Sequence, residues 1–527
     1  MNFLNRAIKN VTRGKSKSIL LILTFFLIGN LVIIGLGVSE ASESAKILTR
    51  QKMRAVVTYE LDYDAINEYT MSIEDEDELN DFYSKYYPKI SIDDVKDLLK
   101  DERVKTANSI TTNMVYDYDS SFTYVHLGNK AEEYMDEENE QLSYVDGEAV
   151  SMAYVNPKFL IKGNYFPDMI ELTDGEYTIT QGRFYTKEEL DNSSPVCLIT
   201  SELASYNGVG LGDKIKIMVA SKSDIASYNG AGITEEDITA ELEVIGIYDH
   251  KLQITPDNQN FDYTYPYENP SNIILMPATS YNEINKTFSD KLNAYYSEMY
   301  GMEEDELNNS AAFIGNATIL LNDPLLVDDF VNDYKDGLAK FTILDANNKE
   351  FEKLSKPLDT LSLYANFIVW LVVINAIVVI SLVTALTLKT REYEIGVLLS
   401  IGATKLKVIT QFFVELALVA IIGFSLSIVS GSLIAGKVGE TVLEYQIQSS
   451  DISEDDHPFD DYINIWDEDY STDISLDDLI SEYSVTVSPL IIMEIYVLGL
   501  GIVLISVIIP SFMIMRYNPK KILMNQG

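Results

Sequence analysis

The chain has 527 residues, a formal charge of −42, three histidines and one cysteine. That length buries a core without cross-links. One cysteine excludes an intrachain disulfide or thiolate metal cluster, and so acidic a chain repels a phosphate backbone, which excludes nucleic acid as a partner.

Residues 1–17 carry Arg6, Lys9, Arg13, Lys15 and Lys17 and no acid, as a cytoplasmic flank does. Phe3, Leu4, Ala7, Ile8 and Val11 recur at helical spacing, so a short amphipathic helix on the membrane surface is expected, with a plain charged flank as the alternative. Residues 18–38 contain no charge and, at about 1.5 Å per residue, cover a hydrocarbon core of about 30 Å. They form the first expected span. A cleaved signal peptide is the rival, given the small residues Ser39–Ala45, but its apolar core would run only about 7 to 15 residues.

From residue 39 to 360 the long apolar runs disappear and the chain turns acidic and rich in Tyr, as an extracytoplasmic domain would. Pro195–Thr200, Lys214–Val219 and Leu242–Tyr248 read as strands between Asn/Gly/Asp turns, while Ile92–Lys100 and Leu325–Leu338 read as helices, giving an α+β domain. Cys197 falls in one of those strands as a small core residue. Ile73–Leu79 and Tyr134–Gln141 read as acidic loops or exposed helix ends.

Residues 361–388 make a second span and 389–408 a short loop with Lys389, Arg391, Lys405 and Lys407. The third span, 409–435, places Gly423, Ser427, Gly431 and Ala435 four residues apart, a small-residue stripe that admits another helix closely. Residues 436–488 form an acidic outer loop without Lys or Arg after Lys437; 489–515 form the fourth span and 516–527 a tail with Arg516, Lys520 and Lys521. The three inner segments hold twelve Lys/Arg against two Asp/Glu, so both termini are expected in the cytoplasm.

Catalytic signatures are missing. Arg13-Gly14-Lys15-Ser16 has only the ending of a phosphate-binding loop, with Lys9 where its first Gly belongs. No His-Glu-x-x-His helix or Gly-x-Ser-x-Gly elbow stands out, and His126, His250 and His457 are scattered, so no enzyme activity is expected of this chain. Asp455, Asp456, Asp460 and Asp461 could draw Ca²⁺ or a cationic peptide, but without EF-hand spacing a solvated acidic surface is the favoured reading.

The informative stretch is Lys389–Val408, which leads into Gln411 and Glu415 of the third span. It suits a docking element: Gly396 and Gly402 permit tight turns, Ile395, Leu398 and Leu399 offer an apolar face, and charges such as Lys405 set register. A mere connector is the alternative. Glu415 lies about 10 Å into the span, where an unpaired carboxylate costs about 3 kcal/mol, so it is expected to face protein. Through Arg391, Glu394, Ile395, Gly396, Leu399, Ile401, Gly402 and Ala403 the stretch resembles the loop between the second and third membrane helices of FtsX-like permeases. The order Gly182–Thr186, Val196–Thr200, Gly210–Ile217, Glu243–Tyr248, then Pro277–Asn282 and Asn316–Leu321, is similar to the MacB-type extracytoplasmic domain. A Gram-positive Vex-type subgroup is the nearest likeness, although the long acidic loop after the third span departs from the usual short connection.

The resemblance implies four transmembrane helices with a MacB-like α+β domain between the first and second, in a bacterial plasma membrane. It implies a permease that pairs with a second, identical or different, permease and docks cytoplasmic ABC ATPase subunits. ATP and Mg belong to those partners and no cofactor to this chain. Mechanotransmission from ATPase to outer domain would export or extract a peptide, antibiotic or lipid-linked molecule. The alternative is a non-transporting complex that reports an antimicrobial peptide or regulates a cell-wall hydrolase. Membrane lipids and an extracellular peptide or cell-wall component complete the expected partners.

Overall fold

The computed structural model describes residues 9–136, 140–145, 148–153, 156–252, 254, 256, 261–301, 313–346, 348–449, 483, 485 and 487–515. The amphipathic positions before residue 9, the tail 516–527, and Asp455, Asp456, Asp460 and Asp461 lie outside them. The chain divides into a helical unit, built from the segment ending at Lys52 and the segment beginning at Lys349, and a second unit spanning Met53–Asn348.

Among the described residues, four helices of the helical unit are long and apolar enough to cross a membrane: Lys15–Lys52, Lys349–Thr390, Lys405–Ser449 and Pro489–Met515. Phe25, Ile33, Ile380, Ala420, Phe424 and Val503 bury against one another between them. Three of the helices outrun their apolar stretches. Residues 39–52 and 349–360 belong to these helices and not to the domain between them, and the first fourteen residues of the expected outer loop 436–488 continue the third helix. The polar extensions persist because they pack on each other. Val38, Ala41 and Ala45 of the first helix bury against Leu358, Leu361 and Ala365 of the second, Lys46 pairs with Asp359 at 2.7 Å, and the Arg50 guanidinium lies 5.1 Å from the Phe351 ring centroid.

The Met53–Asn348 unit is α+β and holds two larger sheets. One has four antiparallel strands in the order Thr342–Asp345, Val56–Leu61, Ala317–Leu321, Val104–Asn108. The other runs Lys214–Met218, Ile110–Asp117, Phe159–Asn164, Ile273–Pro277, Val196–Thr200, Thr239–His250, Tyr177–Gly182. The twelve-residue strand Thr239–His250 also pairs back onto Lys214–Met218 and so closes six strands into a ring. Its register shifts beside Gly246, where a Cβ would fall 2.5 Å from the Arg183 carbonyl oxygen; only glycine fits the bend. Cys197 is fully buried in that sheet, and burial pushes its thiol pKa up. The expected helices shorten, Ile92–Lys100 to Ile92–Val95 plus a turn at Leu98–Lys100, and Leu325–Leu338 to Val327–Tyr334 between single turns.

The chain passes from the small sheet to the large one at Asn108-Ser109-Ile110. The Asn108 amide donates to both oxygens of buried Glu171 at 3.1 and 2.9 Å, while its carbonyl accepts from Asn164 Nδ2 at 3.2 Å and from the Ile170 N–H at 3.0 Å. Every polar atom of the Asn108 amide is engaged, which fixes the crossing with little residual cost of burial.

Candidate coupling site

The connection between the second and third membrane helices is itself helical. Arg391 leaves the helical conformation, Glu392–Ser400 forms a short helix, and a tight stop precedes the helix at Lys405. Gly402 has φ +93°; its N–H donates to the Leu399 carbonyl at 3.2 Å and the Ala403 N–H donates to Leu398 at 3.0 Å, the paired bonds of a Schellman stop. Ile401-Gly402-Ala403 is therefore a helix terminator. Thr404, which the sequence reading passed over, accepts from the Lys407 N–H through its hydroxyl at 3.4 Å and starts the next helix.

Two expectations need correction. Gly396 makes no turn: it is buried in the middle of the short helix. Ile395 faces inward, with Leu388, Val408 and Phe412, and Leu399 packs against the same cluster. These residues hold the short helix to the membrane helices and are not free for a partner. The apolar surface left outside is made of Tyr393, Ile401 at 79 % exposure and Leu406 at 74 %, with Glu394 and Lys405 also exposed. The pattern of apolar residues could not separate the two faces, because both are apolar.

Behind that helix lies a polar centre. Arg391 Nη1 donates to Glu415 Oε2 at 2.9 Å, and Glu415 Oε1 accepts from Gln411 Nε2 at 3.1 Å and from Asn10 Nδ2 at 2.7 Å. Both Gln411 and Glu415 are buried. One carboxylate thus joins the segment before the first membrane helix, the start of the short helix, and the third membrane helix. Arg391 also lies 5.9 Å from the Phe412 ring centroid. A cavity of about 50 Å³ opens beside the cluster, lined by Asn10, Lys17, Thr384, Thr387, Arg391 and Glu415 among others. Buried charge of this kind is tolerated when it is paired and bonded on every side. Asn10 carried no signal in the sequence; it reaches Glu415 across 405 residues of chain.

The small-residue stripe packs within the chain. A Cβ on Gly423 would stand 2.6 Å from Phe25 Cβ, one on Gly431 would stand 2.9 Å from Ile33, and buried Ser427 faces Gly29. First and third membrane helices approach at these positions. Arg13–Ser16 does not form a phosphate loop: residues 9–13 are helical, the Gly14 N–H donates to Asn10, and Lys15 begins the first membrane helix.

The profile of the FtsX-like permease C-terminal family matches residues 366–519, and that of the MacB-like periplasmic core domain matches residues 82–324. The two matches, one in each part of the chain, support an FtsX/MacB-like permease family. This permease is similar to the protein described as "Uncharacterized ABC transporter permease YclI" of Bacillus subtilis strain 168, at 26 % identity over 437 residues, covering 82 % of this chain and 80 % of the relative. The periplasmic region of MacB from Actinobacillus actinomycetemcomitans aligns at 11 % identity and a TM-score of 0.25, over 56 % of this chain and 91 % of that one. The extracellular domain of the transporter YknZ from Gram-positive bacteria aligns at 10 % identity and 0.25, over 55 % and 98 %. The permease is a multi-pass membrane protein of the ABC class whose α+β extracellular domain lies between its first and second spans, and its family implies an ATPase partner and dimerisation.

Proposed function

We propose that this permease transmits the closure of a cytoplasmic ABC ATPase to its extracellular domain, with both termini in the cytoplasm, and that the work done outside is export or extraction of a peptide, antibiotic or lipid-linked molecule. The ATPase seats on Tyr393, Ile401 and Leu406; ATP and Mg stay in that partner, and this chain catalyses nothing. The observation that carries the reading is the Arg391–Glu415 bond, because it ties the exposed short helix to the third membrane helix and, through Asn10, to the approach of the first. A push on the short helix is therefore delivered to the bundle as displacement of two membrane helices and not absorbed in a slack loop. Only a partner whose ATP-bound and ATP-free forms prefer different positions of that helix could drive the change.

Co-expression with the ATPase tests this. Wild-type permease is expected to co-purify with the ATPase and alter its hydrolysis rate. Ile401→Asp with Leu406→Asp is expected to lose the partner, and Glu415→Gln to keep the partner but lose most of the coupling. If the wild type binds no ATPase, or the docking variant binds as well as wild type, the assignment fails.

A further inference from the structure

The extracellular domain carries a face that packing does not explain. Tyr69, Phe82, Tyr83, Tyr87 and Phe341 touch in a chain of ring contacts, with centroids 5.2 Å apart for Tyr69–Phe82 and for Tyr69–Phe341, and 6.0 Å for the stacked pair Tyr83–Tyr87. Phe82 is buried and anchors the group, yet Tyr83 is 54 % exposed and Tyr63, on the helix Tyr63–Met71 that carries Tyr69, is 60 % exposed. Large rings are seldom left so open in a cluster without a partner.

Two backbone features hold the rings in place. Phe82–Tyr86 forms a π-helical turn, an arrangement rare in proteins and frequent at functional sites. Phe341 sits at φ +64°, a left-handed conformation that costs a bulky residue about 1 to 3 kcal/mol and persists only where surrounding structure enforces it. The chain keeps an irregular backbone on both sides of this cluster.

The chemistry of the missing partner can be read from what the rings already hold. The Lys340 ammonium lies 4.6 Å from the Tyr69 ring centroid and 4.3 Å from that of Phe341, so the cluster accepts a cation on its ring faces. Between Asp62 and Tyr87 stand nine Asp/Glu and one Lys, and that Lys85 is taken up by Asp81 at 3.1 Å. The helix Glu76–Asp81 runs directly into the π-helical turn, and Glu74, Asp75, Glu76, Asp77 and Glu78 are all exposed. At physiological salt such charge acts only over about 8 Å, so it favours a cation delivered to this surface and not to the domain at large.

We propose that this face, formed by Tyr63, Tyr69, Tyr83 and Tyr87 beside the acidic helix Glu76–Asp81, is a docking surface for a basic peptide segment that also carries aromatic side chains. Lys or Arg side chains of the partner lie over open tyrosine faces, its rings stack at the edge of the cluster, and the acidic helix fixes its direction. The proposal takes from the permease reading only that the domain faces outward, and binding is measured with no ATPase present, so it stands or falls apart from coupling.

The test uses the full chain in nanodiscs of zwitterionic lipid, with empty discs as background. The probe is a short fluorescent Lys/Trp peptide, compared with the same peptide bearing Glu in place of Lys. Wild type is expected to bind the basic probe with a salt-sensitive affinity and to ignore the acidic one. Tyr63→Ala with Tyr83→Ala, and separately Asp77→Asn with Glu78→Gln, are each expected to weaken binding about tenfold or more. Tyr263→Ala, an equally open tyrosine in the same domain, is expected to change nothing. Circular dichroism of each variant checks that these surface substitutions leave the fold intact. Affinity unchanged in both variants overturns the proposal. Binding of a soluble cell-wall glycan that needs the tyrosines but not the acids also overturns it, because the rings then serve a sugar.

Discussion

Glu415 is the residue on which the proposed coupling site turns, and substitutions around it separate stability from the proposed transmission. Arg391→Met leaves a buried carboxylate hydrogen-bonded only to neutral amides and is expected to destabilise the permease by about 3 kcal/mol, seen as a lowered unfolding temperature in nanodiscs. Glu415→Leu strands the guanidinium and is expected to cost a similar amount. The double variant Arg391→Met/Glu415→Leu removes both charges and is expected to recover most of that loss, while all three fail to couple the ATPase. Equal coupling in the double variant and wild type would mean that packing by Ile395 and Leu399, not the ion pair, carries the motion. Asn108 is the corresponding residue of the extracellular domain. Asn108→Leu removes one donor from each Glu171 oxygen and is expected to cost about 2 to 3 kcal/mol, measured by denaturant unfolding of the full chain with circular dichroism as readout.

At the scale of elements, what could be read from the sequence followed from how local the determining physics is. Four spans were legible because about twenty uncharged residues leave a chain no other use for that length, and the core strands because Val196–Thr200 and Thr239–His250 sit between turn residues. The polar extension of the second helix was legible as a stalk near Phe351–Thr360, but that of the first was not, since residues 39–52 look like domain sequence until Ala41 and Ala45 meet Leu358 and Leu361. The Gly-Ala stop at Gly402 was visible as a turn, whereas the inward face of Ile395 depended on Val408 and Phe412 closing over it. The small-residue stripe announced a close helix approach without naming the partner, which proves to be the first membrane helix. That contact sets a sharp expectation. Gly423→Ile places its branch against Phe25 and the Ile22 carbonyl and is expected to destabilise the bundle by more than about 3 kcal/mol, because backbone there cannot yield. Gly436→Ile, four residues past Ser432 on the same helix and with open space at its Cβ, is expected to stay within about 1 kcal/mol of wild type when both are compared by thermal unfolding.

For the molecule as a whole, a net charge of −42 sets up self-repulsion that well-placed ion pairs must offset. The Arg183 guanidinium, bonded to both Glu189 oxygens at 2.7 Å, holds that carboxyl down at about 2. Arg103, bonded to Asp101 at 2.7 and 2.9 Å, keeps Asp101 well below the usual carboxylate range. A depressed carboxylate contributes stability that is complete above its unfolded value of about 4.3 and is lost as pH falls through its folded value. Protonation of the chain's many other acids acts the opposite way and relieves repulsion over the upper part of that window. Net stability therefore depends on which group is removed, and a matched variant isolates the pair. Arg183 is half exposed, so solvent screening reduces the nominal linkage to about 1 kcal/mol. Arg183→Met is expected to lower the unfolding temperature of the full chain by a few degrees at pH 6, and that difference is expected to shrink as pH drops from about 4.5 through about 2, below which both forms carry a protonated Glu189. A difference that stays constant across the window would assign Arg183 a packing role over the bend at Gly246 and leave Glu189 without a part in acid stability.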